Sequence, residues 1–412
     1  MDYGTGRIGE IINALKDKFS ADIIDIPAEA KLSALCEVTQ LTSLDFDKLI
    51  SENSPVLRTV RGHTFESFFD NLIRQSGHEI TEVGGDDSVD RIVNNRTLQL
   101  KTYTKAGTSG VEVQFKTHKT HGAKSEQESF DYYHTASDFA EFLVGLISYD
   151  PLNILVLGRN ELPRHSKSPE HILSPFSITW EGHPGLNNFK RISATLEIIP
   201  SSNTLGLNEL LPKTAAKIGV GSDVILNTIL NNANFRIWDM AIRGFAREIA
   251  FSNYIKAHSV KIYNPSSART ERSDKADYAL RRSGKYVFMQ MKGVSTNHCD
   301  FSADVPLIAT ETQLTRGRVN DHPTQSRLYL NSDFDFLILG IDPPINKLCQ
   351  AKILQEAKLE WAFYAIPTEK LEKHKAMPNR LKYLQKFLYT DLQKYKVLPD
   401  WFEPYEQVTA ES

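Results

Sequence analysis

The sequence predicts two mixed domains of the α/β or α+β class in one chain, and three observations lead to this prediction. The 412 residues are too many for one ordinary hydrophobic core. Helical and strand-like segments follow the order helix, strands, helix, strands, and this order occurs twice. A set of polar residues recurs in the same order in both halves.

The first half combines a helical N-terminal segment with a strand-rich region. We expect helices within residues 1–56 and from 64 to 73, because apolar residues recur there at helical spacing. Strands at 89–93 and 97–102 flank an Asn94-Asn95 turn signal. The remaining predicted elements of this half are a strand at 111–116, a helix at 137–147, a strand at 153–157 and a strand that ends at Trp180.

The second half begins after a linker at 200–211 and repeats the pattern. The predicted elements are helices at 215–230 and 237–254, strands at 277–280 and 286–291, and strands at 334–341 and 361–366. We expect the last two strands to match 153–157 and the strand ending at Trp180. The tail, 371–395, is predicted to be a basic amphipathic helix. The expected segments are therefore 1–56 (helical), 57–205 (first domain) and 206–412 (second domain).

Residues 215–230 allow two interpretations. Their small and apolar residues have the spacing of a helix-turn-helix, whose second helix would enter the DNA major groove. A plain helical hairpin that braces the second domain fits the same pattern.

Two sets of four polar residues carry the chemistry. The first quartet is Glu66, Asp90, Gln99 and Lys101, and the second quartet is Glu248, Asp277, Gln290 and Lys292. In each set the aspartate precedes a Gln-x-Lys triplet, by 9 residues in the first and 13 in the second. Each glutamate also follows an Arg-Gly pair, at Arg61 and Arg243. A solvated strand face does not explain four elements that recur in order.

These residue types suit hydrolysis of a phosphodiester. The reaction needs a metal ion that activates water and a positive charge near the developing negative charge. Mg2+ prefers oxygen ligands, so we expect Asp90 and Gln99, and likewise Asp277 and Gln290, to be metal ligands. Lys101 and Lys292 lie two residues after the glutamines, on the same face of their strands. Glu66 and Glu248 are expected to orient the lysines or to hold a metal through water.

Composition narrows the classes of function. The content of 41% hydrophobic and 24% charged residues is typical of globular proteins, and no apolar run has the length of a membrane span. We expect a cytoplasmic protein without membrane contact. Three scattered cysteines and twelve histidines without ligand spacing predict neither disulfides nor a zinc site. Because the net charge is −3, any phosphate contact must come from local basic patches.

The two quartets resemble the PD-(D/E)xK nuclease superfamily in the variant with Gln before x-Lys, as in Mrr-like and several type II restriction endonucleases. The resemblance covers about 57–180 and 237–367. It implies two restriction-endonuclease-like domains, each with a central mixed sheet flanked by helices. It also implies Mg2+-dependent cleavage of DNA, with Mn2+ as an alternative ion, and a role in restriction or antiphage defence.

The leading hypothesis is a type II restriction-like endonuclease that acts on double-stranded DNA as a single-chain pseudo-dimer, with one active site per half. Two alternatives stay open: one catalytic half with a degenerate recognition or regulatory half, and a non-catalytic DNA-binding subunit of a defence complex. Further expected partners are a cognate methyltransferase or a defence-system subunit, and homo-oligomers are compatible with the sequence. The residues predicted to contact DNA are Lys105, Lys116, Lys119, Lys124, Arg316, Arg318 and Arg327.

Overall fold

A computed structural model describes residues 6–83, 88–108, 110–117, 133–198, 209–231, 234, 237–268, 270, 272–313, 328–354 and 356–408. The fold is mixed α/β, as the sequence predicts. The chain forms two compact units. The contiguous unit is Ile50–Asn234, and the split unit combines Met1–Leu49 with Phe235–Ser412. Among the described residues, no helix has the length and apolar character needed to cross a membrane.

The described residues form α-helices of 4 to 22 residues. They are α1 (Gly6–Phe19), α2 (Ala28–Thr39), α3 (Ser43–Glu52), α4 (Ser54–Gln75), α5 (Pro212–Ile218), α6 (Ser222–Ile229), α7 (Arg243–Ala257), α8 (Pro343–Ile353) and α9 (Tyr389–Leu392). A π-helical turn, Ile237–Ile242, leads directly into α7. Helix α4 contains the predicted helix 64–73, and α7 contains most of the predicted helix 237–254.

The contiguous unit is built on a five-stranded sheet in the order β1-β2-β3-β6-β7. Its strands are β1 (Ile80–Glu82), β2 (Arg91–Val93), β3 (Arg96–Thr102), β4 (Lys105–Ala106), β5 (Glu112–Phe115), β6 (Phe142–Tyr149), β7 (Leu152–Gly158), β8 (Arg164–His165), β9 (Ser168–Ile172) and β10 (Phe176–Thr179). Strand β3 runs parallel to β6, and the other pairs of this sheet are antiparallel. The β2–β3 hairpin turns at Asn94 and Asn95, which both have positive φ, as the turn signal predicts.

The split unit contains a four-stranded sheet in the order β11-β12-β14-β15. Its strands are β11 (Tyr278–Arg282), β12 (Lys285–Gly293), β13 (Leu307–Glu311), β14 (Phe336–Ile341), β15 (Ala362–Pro367), β16 (Lys373–His374), β17 (Met377–Leu381) and β18 (Leu384–Leu388). Here β12 runs parallel to β14, and β11 and β15 are antiparallel to their neighbours. The β11–β12 turn, at Ser283 and Gly284, also has two positive φ angles.

The two sheets share the same register around the Gln-x-Lys triplets. Gln99 pairs with Leu143 of β6, and Gln290 pairs with Leu337 of β14. The residue before each partner is a phenylalanine, Phe142 in one unit and Phe336 in the other. Because a slip of one residue would turn every side chain to the opposite face, this common register places both triplets on equivalent faces.

The resemblance between the units extends beyond the central sheets. A short bulged hairpin follows in each unit, β8–β9 in the first and β16–β17 in the second. The next strand then pairs antiparallel with a strand that follows the Gln-x-Lys strand, as β10 with β5 and β18 with β13. The repeated pattern therefore extends into residues 371–395, for which the sequence predicts a basic helix.

Three expectations about individual elements are wrong. Residues 137–147 were expected to form a helix, but Phe142–Tyr149 is strand β6, because a short apolar run fits a strand buried on both faces equally well. The predicted tail helix at 371–395 is instead β16, β17, β18 and the short helix α9. Strand β14 consequently corresponds to β6 and not to β7, and β15 corresponds to β7 and not to β10, so both expected strand matches are wrong.

The division into units also differs from the expected boundaries at 56 and 205. In the split unit, α2 packs against α7 and α8, and the Trp361 indole donates to the Thr39 carbonyl at 2.9 Å. In the contiguous unit, α5 and α6 pack as a helical hairpin against α4. The Lys217 ammonium donates to the Ser51 carbonyl at 2.8 Å. Helices α1 and α2 therefore belong to the split unit, and α5 and α6, which the sequence assigns to the second domain, belong to the contiguous unit.

Candidate active sites in the two units

The first quartet begins at Asp90, which lies immediately before β2. One Asp90 carboxylate oxygen accepts the Leu100 N–H at 2.7 Å, and the Asp90 N–H donates to the Leu98 carbonyl at 2.8 Å. The Lys101 ammonium lies 3.7 Å from the same carboxylate oxygen. The β2–β3 pairing therefore brings the carboxylate and the ammonium together at the end of the hairpin.

Glu66 of α4 is linked to Asp90 by Arg91, a residue that the sequence analysis does not predict to be part of the site. The Arg91 guanidinium lies 3.4 Å from Glu66 and donates to Asp70 at 2.8 Å. Burial raises the pKa of Glu66, but the nearby His63, Arg91 and Lys101 together lower it below its usual value. Glu66 is therefore ionised at neutral pH. The signal that could have revealed Arg91 is its position directly after Asp90 in an otherwise apolar strand.

Gln99 provides the observation that bears most directly on a metal ion. Its side chain is 3% exposed, and its amide oxygen is buried without a hydrogen-bond partner among the described residues. Because side chains alternate along a strand, Gln99 lies on the same face of β3 as Lys101. A buried acceptor oxygen without a partner is energetically unfavourable, and a hydrogen-bond donor or a cation would satisfy it.

The donor set of the first quartet fits Mg2+, which binds oxygen ligands and keeps several waters. The candidate ligands are the Asp90 carboxylate, the Gln99 amide oxygen and the Leu100 main-chain carbonyl, with Glu66 placed to act through water. In the part of the chain that the structure describes, no three His, Cys, Asp or Glu side chains cluster as metal ligands. The fit therefore depends on amide and main-chain oxygens. Burial, together with the charge of Glu66, raises the pKa of Asp90 against the opposing effects of Lys101 and the Leu100 N–H.

The second quartet repeats the backbone contacts of the first. One Asp277 carboxylate oxygen accepts the Met291 N–H at 2.8 Å, and the Asp277 N–H donates to the Met289 carbonyl at 2.9 Å. The Gln290 amide nitrogen also donates to this carboxylate at 2.6 Å. Lys292 donates to the Gln313 carbonyl at 3.1 Å. The aspartate is thus anchored in the same way, but the glutamine is already hydrogen-bonded to it.

The charges of the second quartet differ from those of the first. Burial and the neighbouring Asp277 raise the pKa of Glu248 to about 7, although Arg247 and Lys292 oppose the shift. Burial likewise raises the pKa of Asp277 and lowers the pKa of Lys292. At neutral pH Glu248 is therefore only partly ionised, in contrast to Glu66.

Arg247 distinguishes the split unit further. It occupies the position before the glutamate, where the contiguous unit has the buried Phe65. Its stem lies across Gly340, where an added Cβ would come within 2.4 Å of the Arg247 Cδ atom. The register places Leu146 at the equivalent position of the contiguous unit. The sequence signal for this arginine is the pair Gly293 and Gly340 in strands that are otherwise apolar.

No protein-family model, no curated protein and no solved structure matches this chain. Function is therefore inferred from the two quartets themselves.

The residues predicted to contact DNA are described only in part. Lys105 on β4 and Lys116 just after β5 are exposed, which makes both accessible to a polyanion. The other predicted contacts lie outside the described residues, and these are Lys119, Lys124, Arg316, Arg318 and Arg327.

The raised pKa of Glu248 predicts a pH dependence of stability in EDTA. The folded unit holds the Glu248 proton more tightly than the unfolded chain, so this contribution is complete below the usual carboxyl pKa and is lost as pH rises through about 7. Glu248→Gln is neutral at every pH, so relative to wild type it gains about 1–2 kcal/mol of unfolding free energy between pH 5 and pH 8. Urea unfolding across this pH range measures the difference.

The matched control for this prediction is Glu66→Gln. The pKa of Glu66 is lowered, so its ionised form stabilises the fold above the usual carboxyl pKa, and that contribution is lost as pH falls. Glu66→Gln should therefore lose stability at neutral pH, opposite in sign to Glu248→Gln. Parallel pH profiles for wild type and Glu248→Gln would contradict the assignment.

Proposed function

We propose that the protein is a Mg2+-dependent DNA endonuclease of the restriction type, with one active site in each unit. The observation that carries this proposal is the recurrence of carboxylate, Gln-x-Lys and helix glutamate in both units, with the same strand register and the same anchoring of the aspartate. Structural repetition of this kind is unexpected for solvated surface residues. A restriction-endonuclease-like fold for each unit is part of the proposal.

The side chains of the first quartet have distinct roles in this reaction. Asp90, Gln99 and the Leu100 carbonyl would hold the ion, which when bound polarises a phosphoryl oxygen and lowers the pKa of water. The Lys101 ammonium, 3.7 Å from Asp90, lies where it can neutralise negative charge that develops on the phosphoryl oxygens. Glu66 lies 3.4 Å from the Arg91 guanidinium and would hold Arg91 in place next to Asp90. In the second quartet Asp277, Gln290, Lys292 and Glu248 take the corresponding roles.

A cleavage assay on supercoiled plasmid tests the proposal. We expect purified protein to nick and linearise plasmid in Mg2+ or Mn2+ and to be inactive in EDTA, and methylated and unmethylated DNA should be compared. A protein that leaves every plasmid intact under all these conditions would contradict the nuclease assignment. If the plasmid is cut, sequencing of the new DNA ends gives the cut position.

Asp90→Asn tests the metal site separately from cleavage. Asparagine keeps an oxygen that can accept the Leu100 N–H, so the hairpin should remain folded, whereas the charge that attracts the ion is lost. We expect Mn2+ affinity of the first site to fall by about tenfold or more, with a nearly unchanged melting temperature. Electron paramagnetic resonance of free Mn2+ measures the binding. Equal Mn2+ binding by Asp90→Asn and wild type would exclude Asp90 as a ligand.

A second candidate function, in which only the first unit is catalytic, is favoured by the state of the second quartet. The Gln290 amide nitrogen donates to Asp277, so the amide would have to rotate before its oxygen and the carboxylate could share one cation. The pKa of Glu248, raised to about 7, also leaves this carboxyl partly protonated near neutral pH and so opposes cation binding. In that case the split unit would serve recognition or regulation.

A further inference from the structure

The arginine of the Arg-Gly pair that precedes each quartet has different surroundings in the two units. In the split unit the Arg243 guanidinium lies 3.2 Å from the Asp342 carboxylate, and both side chains are largely buried. Asp342 directly follows β14 and caps the N-terminus of α8. The charge of Arg243 is therefore neutralised inside its own unit.

The contiguous unit has no carboxylate at the corresponding position. Asp342 lies five residues after Leu337, the partner of Gln290. Five residues after Leu143, the partner of Gln99, is Ser148, and a one-residue bulge between Leu146 and Ser148 shifts the equivalent position to Tyr149. Neither residue carries a carboxylate. Among the described residues, Arg61 makes neither an ion pair nor a hydrogen bond, and its buried Nε atom has no partner. Its guanidinium instead lies over the Tyr103 ring, 4.3 Å from the centroid. Arg61 thus retains an uncompensated charge and unused donors.

A second unused donor is the Tyr149 hydroxyl at the end of β6, which packs on the same helix, α4, that carries Arg61. Tyr149, the last residue of β6, is 4% exposed, and its hydroxyl is buried without a partner among the described residues. The Phe68 ring of α4 packs edge-on against Tyr149, with centroids 5.0 Å apart. Arg61 precedes Phe68 by seven residues on α4, so both side chains lie on the same face of the helix, the face that packs against Tyr149. Burial raises the pKa of Tyr149, so its hydroxyl stays protonated and can donate. A buried hydroxyl without a hydrogen-bond partner is unfavourable, and a ligand that accepts a hydrogen bond from it would remove this cost.

We propose that Arg61 and Tyr149 form a phosphate-binding subsite, which takes a backbone phosphate of a nucleic acid strand next to the phosphodiester held by the first quartet. This inference rests on the proposed function. A planar guanidinium forms paired hydrogen bonds with phosphate oxygens, and a tyrosine hydroxyl adds a neutral donor. The Tyr103 ring holds the guanidinium in plane. Because Tyr103 follows Lys101 by two residues, the subsite lies at the carboxyl end of β3, on the side of Lys101.

The subsite belongs to the contiguous unit alone, since the equivalent Arg243 is paired with Asp342. This asymmetry supplies a matched control. In Arg243→Gln combined with Asp342→Asn both members of the pair become neutral, so no buried charge is left without a partner. The same arginine position is therefore changed in both units, with an effect on DNA expected in only one.

Fluorescence anisotropy with a labelled duplex tests the subsite in the full chain. Lys101→Met and Lys292→Met are included in every variant, so that Mg2+ can be present without cleavage. We expect Arg61→Gln to weaken binding by about tenfold and to reduce the slope of log affinity against log salt by about one, as for the loss of one phosphate contact. Tyr149→Phe should weaken binding by about threefold without lowering the melting temperature, because the removed hydroxyl has no partner in the free protein. The Arg243→Gln, Asp342→Asn variant should keep the salt slope.

The outcomes separate this inference from the nuclease proposal. An unchanged salt slope in Arg61→Gln, in a protein whose active form cleaves plasmid, overturns the subsite and leaves the nuclease proposal standing. A reduced salt slope in both the Arg61 variant and the Arg243 variant also overturns the subsite, because the effect would not be specific to Arg61. A wild-type chain that neither binds nor cleaves DNA overturns both.

Discussion

Replacing Lys101 and Lys292 together with methionine should abolish plasmid cleavage, whereas each single replacement should leave nicked circles. Methionine has nearly the length of lysine but no charge, so the strand packing is retained and the ammonium is lost. Removal of one such electrostatic contact to a transition state costs about 10²–10³ in rate. Each single variant therefore loses cutting of one strand.

The two single variants should also differ from each other. In the second quartet the glutamine is bonded to Asp277 and Glu248 is only partly ionised at neutral pH, so this site is expected to be the slower one. Lys101→Met should therefore nick more slowly than Lys292→Met. Gel separation of supercoiled, nicked and linear plasmid over time measures both steps.

The control is Lys394→Met, which removes an exposed lysine whose ammonium lies 3.7 Å from Asp391 and 5.3 Å from the centre of the Tyr395 ring. It should cut both strands at the wild-type rate. Complete loss of cleavage in Lys101→Met with none in Lys292→Met would contradict the two-site proposal. That result would support a catalytic contiguous unit and a non-catalytic split unit.

Gly145→Val should strongly destabilise the contiguous unit. Gly145 is the β6 partner of Lys101, and an added Cβ would lie 2.5 Å from the ring of Phe115, which is fully buried. The ring cannot move without displacing its neighbours in a closely packed core. We expect the free energy of unfolding to fall by about 2–4 kcal/mol, measured by urea denaturation.

A double-mutant cycle identifies the cause of that loss. Phe115→Leu shortens the side chain that the new valine meets, so it should destabilise wild type but cost less, or restore stability, in the Gly145→Val background. Gly244→Ala is the control glycine, because it is helical and no atom lies within 4 Å of an added Cβ. It should leave stability unchanged or raise it by up to about 1 kcal/mol. Additive costs for Gly145→Val and Phe115→Leu would show that the ring is not the obstacle.

The sequence predicts the parts of the fold whose signals are local. The two hairpins that carry Asp90 and Asp277 follow from Asn94-Asn95 and Ser283-Gly284, since these residues adopt the positive φ angles that tight turns need. The Gln-x-Lys spacing correctly places Gln99 and Lys101 on one strand, with Asp90 close to Lys101. Local patterns therefore bring three of the four members of the first quartet together.

Other features depend on contacts that a sequence pattern does not encode. The apolar residues of β6 fit a buried strand or a buried helix, and only the parallel pairing with β3 decides between them. The basic residues of the tail are compatible with a helix until Leu384–Leu388 pairs with Leu307–Glu311. Arg91, Arg247 and Asp342 form long-range contacts, so their roles emerge only when the strands and helices are assembled.

The contiguous unit interrupts the split unit within the chain, and this has a consequence for synthesis on the ribosome. Helices α1 and α2 are translated first, but α7 and α8, against which α2 packs, are translated only after the entire contiguous unit. Domains generally fold as units while the chain grows. Residues 50–234 can therefore complete their core before α7 and α8, which pack against α2, have been synthesised. During that interval side chains that are buried in the folded chain, such as Leu32 and Leu35, are open to chaperones or to misassociation.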